Sequence, residues 1–283
     1  MRTAIVGDIG GQIDVFHDVI RNLDGDIETG LFPEDLRVIQ VGDIVRMNPS
    51  PDLDSVACAK LADKLLHANK GRYIQLLGNH ETPLLGGVVH PGWSITDIPE
   101  ARPIIERWWN KKQAHLAVVL HADGEKDILI THAGLTRGYM TDFLNTRNVR
   151  DAVSQLNRNV GNIDLRSMEC PGGLVGGPDN ESADIFWSLC GPELHASWWG
   201  NPMGFNQIHG HACIFRWDTE QFFSDLPDEI RKSTIVNKES RFTITQHPDG
   251  DWFRSVDWVL QNTKKRQEWP VLVLDGFDIY LGE

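Results

Sequence analysis

Four short blocks each follow an apolar run of strand length: Gly7-Asp8-Ile9-Gly10-Gly11-Gln12, Gly42-Asp43, Gly78-Asn79-His80-Glu81 and Thr131-His132-Ala133-Gly134. His209-Gly210-His211 makes a fifth, after a shorter apolar run. A strand that ends in Asp, Asn or His presents that side chain at the carboxyl edge of its sheet, where open α/β sheets bind ligands. Two carboxylates, an amide and two or more imidazoles gathered at one edge form a mixed oxygen and nitrogen shell suited to two divalent cations. Asp8, Asp43, Asn79, His132 and His211 are the candidate metal ligands. His209 is a further donor, because residues two apart point to the same side of an extended chain. Asp43 is placed to bridge two cations, which would otherwise leave two neighbouring carboxylates repelling each other.

Between the blocks the pattern alternates strand and helix. Residues 2–7 predict a buried strand and 13–20 a helix, 37–42 a strand and 53–69 a helix, and 72–77 a third strand. Such alternation predicts a βαβ layer with helices outside. Leu116–Leu120 and Asp127–Thr131 flank Asp123-Gly124, a hairpin signal, and 241–260 alternates around Pro248-Asp249-Gly250, so a second sheet is expected. Residues 84–113 and 160–204, with paired glycines and the Trp108-Trp109 and Trp198-Trp199 pairs, are expected as insertions or lid segments in one domain spanning 1–283. The tryptophans are expected to pack rather than to bind.

These motifs resemble the calcineurin-like metallophosphoesterase superfamily, most closely its phosphoprotein-phosphatase-like bacterial branch, whose pattern runs GDxHG(Q), GDxxDRG, GNH(E/D), HxG and GH. The matches are GDIGGQ at 7–12, GD at 42–43, GNHE at 78–81, THAG at 131–134 and GH at 210–211, in that order. The resemblance implies an α/β (α+β) fold, a two-sheet β-sandwich flanked by helices, with a binuclear metal site at the carboxyl ends of the strands. It also implies hydrolysis of phosphomonoesters, with a phosphoprotein Ser/Thr site favoured, by attack of a metal-activated hydroxide. Nucleotides and small-molecule phosphates, dinucleoside polyphosphates included, fit the same chemistry. His80 is the expected general acid, near neutral pH the residue suited to protonating a leaving oxygen. Arg46 and Arg137 are the candidates for clamping phosphate oxygens.

Two departures from the pattern stand out. Gly10 occupies the place of the first-block His, which removes an imidazole from the first metal site and leaves it Asp8, Asp43, water and a neighbour such as Gln12 or His209. Oxygen-dominated ligation favours Mn2+ or Mg2+ over Zn2+, so Mn2+ is the expected ion, with Fe, Zn2+ and Mg2+ as further options. The second block reads Gly42-Asp43-Ile44-Val45-Arg46. Either Arg46 replaces the family's second Asp, or one residue is deleted and Arg46 is the phosphate-binding Arg. The same departures motivate the rival reading, a weakened relative that kept the fold as a binding module.

A net charge of −13 over 283 residues argues against a nucleic-acid backbone or an anionic membrane as partner. The first predicted strand starts at Thr3, leaving no expected room for a signal peptide. No apolar run approaches the ~20 residues of a bilayer span. Cys58, Cys170, Cys190 and Cys213 lack CxxC spacing, and scattered thiols suit a reducing cytoplasm.

Overall fold

The computed structural model describes residues 1–48, 50–93, 98–224, 226–256 and 271–282. In chain order the strands are β1 (Arg2–Val6), β2 (Leu36–Gln40), β3 (Tyr73–Leu76), β4 (Ala114–His115), β5 (Ala117–His121), β6 (Ile128–Thr131), β7 (Asn206–His209), β8 (Phe215–Arg216), β9 (Gln221–Phe222), β10 (Thr234–Asn237), β11 (Phe242–Gln246), β12 (Trp252–Ser255), β13 (Leu272–Asp275) and β14 (Asp278–Tyr280). The longer helices are α1 (Ile13–Asn22), α2 (Ser55–Ala68), α3 (Arg102–Asn110) and α4 (Val149–Asn159).

Five strands form one sheet in the order β13-β1-β2-β3-β4, and seven form a second in the order β10-β11-β12-β7-β6-β5-β14. Strands β1 to β4 run parallel, as do β6, β7 and β12. The strands are apolar on both faces, and their period of two sorts the side chains into two cores. Ile5, Ile39, Ile74 and Leu76 of the first sheet meet Val118, Leu120, Ile128, Ile130 and Ile208 of the second. The alternate positions Ala4, Val6 and Val38 join Phe16, Val19 and Ile20 of α1 and Leu61 and Leu65 of α2 in a different cluster. Ala117, Val119 and Leu129 belong to that cluster with Val153 and Leu156 of α4. Two sheets therefore face each other, with helices on their outer surfaces.

The expected hairpins are present: β5 pairs antiparallel with β6, and β11 with β12. Of the 241–260 stretch, 257–260 lie outside the described residues. The short strands β4, β8, β9, β10, β13 and β14 were not anticipated. β13 adds antiparallel to β1 and β14 to β5, so the chain's last described segment supplies an edge strand to each sheet. Segment 84–113 contains α3, whose Trp108 and Trp109 are buried in the core. Trp108 Nε1 donates to Asp63 of α2 at 2.9 Å. Segment 160–204 folds into short helical turns that bury Trp187 and Trp198. Among the described residues, no helix is long and apolar enough to cross a membrane.

Candidate metal centre

Five of the six expected ligands lie just past a parallel strand's carboxyl end: Asp8 after β1, Asp43 after β2, Asn79 after β3, His132 after β6 and His211 after β7. The first three belong to one sheet and the last two to the other, so the site joins the two sheets at one end. Asp8, Asp43 and His132 are fully buried, and Asn79 and His211 nearly so. The turns are tight. Asp43 has φ 53° and His211 φ 60°, left-handed conformations that cost about 1–3 kcal/mol each at non-glycine residues and gather where function demands them. A Cβ on Gly78 would collide with Asp43 Oδ1, and one on Gly210 with Asp8 Oδ1. Both positions are glycine because a ligand carboxylate lies against the backbone.

Candidate ligand atoms of Asp43, His132 and His211 all fall within 4.8 Å of one another. The terminal amide of Asn79 sits among them: one atom lies 3.0 Å from His132 Nε2 and 3.2 Å from His211 Nδ1, and 3.0 and 3.3 Å from the two Asp43 oxygens. His132 Nδ1 is 3.0 Å from the Val41 carbonyl. That nitrogen therefore carries the ring proton and Nε2 presents a lone pair. Asp43 Oδ1 also accepts the His80 backbone N–H at 2.9 Å, so an amide turned to present its NH2 can serve Asp43 Oδ2 and His132 Nε2. The case for a cation is the chemistry of the set, a carboxylate, an amide and two neutral imidazoles buried together. The donor set thus fits the divalent ions expected from the sequence. Burial holds His132 well below the usual histidine range and His211 down to about 3, keeping both rings in the neutral form that ligates. Asp8 accepts the His211 backbone N–H at 3.2 Å, and its Oδ1 is 4.0 Å from His132 Nδ1.

His80 is placed differently. Its Nδ1 accepts the backbone N–H of Met47 at 2.9 Å, so Nε2 carries the proton and lies 3.7 Å from Asp43 Oδ2. A peptide N–H, not a carboxylate, thus stands at His80 Nδ1. Burial, and then the positive charge of Arg46, hold its pKa well below the ordinary value. Trp93 stacks on the ring at 4.1 Å between centroids. Asp43, Arg46, His80, Trp93, Leu174 and His211 are among the residues lining a cavity of about 220 Å³.

Two further polar residues organise these loops: Glu81, the last residue of the GNHE block, and Gln40. Glu81, fully buried, accepts backbone N–H bonds from Asp43 at 2.8 Å, Val45 at 3.1 Å and Gly78 at 2.7 Å. Burial raises its pKa to about 7, against those hydrogen bonds. Gln40 donates to the carbonyls of Gly7 and Gly42 and accepts the Gly42 N–H, tying the first two blocks together. The apolar-run position of Gln40, inside a buried strand, is the one clue the sequence holds.

Two expected site residues are not brought to the cluster. His209 Nε2 is 3.6 Å from Cys190 Sγ, and His209 groups with Cys190 and His195 rather than with Asp43. The strand ends at His209 and the chain turns left-handed at His211, so the same-side rule for an extended chain no longer holds. Arg137 lines a separate cavity of about 600 Å³ with Arg147 and Glu181. Gly10 has φ 57°, and its N–H bonds to the Asp43 carbonyl at 2.7 Å.

No family model matches the chain, and no curated protein matches it. Among solved structures it is similar to a cold-active protein-tyrosine phosphatase of a psychrophilic Shewanella species, at 16% identity and TM-score 0.45, covering 74% of this chain and 65% of that one. A point mutant of a cold-active protein tyrosine phosphatase gives 15% identity and TM-score 0.47, with the same coverage of 74% and 65%. The chain thus spans just under two thirds of the length of these first matches. A protein serine/threonine phosphatase from Saccharomyces cerevisiae, with similarity to human phosphatase PP5, gives 12% identity and TM-score 0.43 over 99% of this chain and 79% of that one. At TM-scores below 0.5 these likenesses do not bear on function, which is read from the side chains.

Proposed function

We propose that this chain is a metal-dependent phosphoesterase acting on phosphomonoesters. The observation that carries the reading is the meeting of Asp8, Asp43, Asn79, His132 and His211 at the joined sheet ends, with the Nε2–H of His80 beside them. Two divalent cations, Mn2+ by the oxygen-rich donor set at Asp8, would supply charge neutralisation and an acidified water. Asp43, whose oxygens lie 3.6 Å from His132 Nε2 and 3.7 Å from His80 Nε2, would be the carboxylate holding them together. Arg46 borders the same cavity and is the group available to bind non-bridging phosphate oxygens. His80 would give its Nε2 proton to the leaving oxygen as an imidazolium, which requires the Met47 N–H to leave Nδ1 so that Nδ1 can take up a second proton. Burial and Arg46 disfavour that form, so the approaching phosphate's negative charge must stabilise it. Arg137, in another cavity, takes no part in this scheme.

The motif resemblance favours a phosphoprotein substrate. The cavity favours a second reading, a small phosphomonoester with a compact planar leaving group, because Trp93, Leu174 and Leu189 wall it. The test is turnover by the Mn2+-loaded chain of a phosphopeptide, nucleotide monophosphate and aryl phosphate panel, with and without chelator. Turnover that the chelator abolishes supports the reading. Turnover unaffected by the chelator, or none on any ester by fully metal-loaded protein, overturns it in favour of a different chemistry or a binding module.

A further inference from the structure

We propose that Cys190, His195 and His209 form a second metal site, separate from the centre at Asp43 and suited to a thiophilic cation of the Zn2+ class. It does not rest on the phosphoesterase reading. The three side chains are 2%, 1% and 1% exposed, and their donor atoms lie within 4.8 Å of one another. Cys190 Sγ is 3.4 Å from His195 Nε2 and 3.6 Å from His209 Nε2. Tetrahedral zinc, with Zn–S near 2.3 Å and Zn–N near 2.0–2.1 Å, separates sulfur from nitrogen by about 3.5 Å. Both sulfur–nitrogen spacings therefore match those of a tetrahedral zinc site.

The tautomer agrees. His209 Nδ1 lies 3.0 Å from the Gly210 carbonyl, so it donates there and Nε2 turns a lone pair toward the sulfur. A backbone carbonyl orienting the far nitrogen is the usual support of a metal-bound imidazole. His195 has no hydrogen-bond partner on Nδ1 among the described residues, so nothing there fixes a proton on Nε2. Its ring is held by stacking on Phe253 at 4.5 Å. One thiolate and two neutral imidazoles are a borderline-soft set that selects Zn2+ over Mn2+ or Mg2+, opposite in preference to the oxygen-rich site at Asp8. On binding, the Cys190 thiol proton passes to solvent and sulfur ligates as thiolate.

The position gives the site a task. Cys190 and His195 lie on one helical turn of the segment 160–204, and His209 closes β7 two residues before His211. A bound cation would fasten that segment to the strand end that presents a ligand of the Asp43 centre.

Titration of the chelated full-length chain with Co2+, a coloured stand-in for Zn2+, tests the proposal. A thiolate-to-Co2+ charge-transfer band should grow to one equivalent and be displaced by Zn2+. The band should be lost in Cys190→Ser and kept in Asp43→Asn, Cys58→Ser, Cys170→Ser and Cys213→Ser. Should circular dichroism show Cys190→Ser unfolded, His195→Gln takes its place; it keeps the thiol and should bind Co2+ ~10–100-fold more weakly. No band in the wild type, as a hydrogen-bonded Cys–His–His chain would give, overturns the proposal. So does a band that survives Cys190→Ser or an affinity untouched by His195→Gln. Loss of the band in Asp43→Asn would mean that the thiolate belongs to the catalytic centre, which also overturns it.

Discussion

At His80 one backbone hydrogen bond decides the chemistry. Because Met47 N–H occupies Nδ1, the proton sits on Nε2, the nitrogen facing Asp43 and the cavity. Replacing His80 by Ala should leave bound metal unchanged and slow alkyl ester hydrolysis by ~10²–10⁴-fold. The loss should shrink for aryl phosphates, whose leaving groups need little protonation. Equal losses on both ester types, measured as kcat/KM, would show that His80 is not a proton donor. Gly10 is the other deciding residue. Its φ of 57° is a region where histidine is among the better-tolerated side chains, so an imidazole can be restored there for a strain cost of about 1–2 kcal/mol. Gly10→His should tighten the weaker of the two cation sites by ~10–100-fold, seen by calorimetric titration, while lowering the melting temperature of the metal-free protein. Two equally tight sites in the wild type would contradict the view that Gly10 leaves one of them weak.

Among the elements, the loops that follow β2 and β3 are locked by Glu81. Its carboxylate collects three backbone N–H groups from both loops. Glu81→Ala would strand those donors in a water-free site at about 1–3 kcal/mol apiece. A stability loss of several kcal/mol by denaturant titration is expected, together with weaker metal binding. A change confined within ~0.5 kcal/mol, the range of ordinary surface substitutions, would show that Glu81 does not brace the loops. These elements also mark what was legible beforehand. Strands β1, β2 and β3 and helices α1 and α2 could be placed because apolar periodicity and Gly-Asp or Gly-Asn stops coincide at their ends. The meeting of the five candidate ligands Asp8, Asp43, Asn79, His132 and His211 at the strand ends followed from that. Glu81 could not be told from a surface acid, since its value lies in contacts with Asp43 and Val45 nearly forty positions away. His209 was misplaced because the sequence does not show that the strand stops there. β13 and β14 escaped notice because short edge strands owe their place to the sheets they join, not to local pattern.

The whole molecule is a machine for bringing two sheet edges together. Ile5, Ile39 and Ile74 packing on Val118, Ile130 and Ile208 fixes how the first sheet's Asp and Asn turns meet the second sheet's His turns. Neither sheet alone carries all five candidate ligands. The chain's net charge of −13 repels phosphate at long range, so in the proposed reaction the local positive charge of the cations and Arg46 would have to draw the substrate in. The decisive measurement is therefore Mn2+ content by elemental analysis, with phosphomonoesterase activity in parallel, for wild type and Asp43→Asn. The wild type should hold close to two Mn2+ per chain. The variant, with a neutral amide where the bridging carboxylate stood, should lose most of that Mn2+ and its activity together. Unchanged Mn2+ stoichiometry in folded Asp43→Asn, or full activity after its loss, would contradict the binuclear centre.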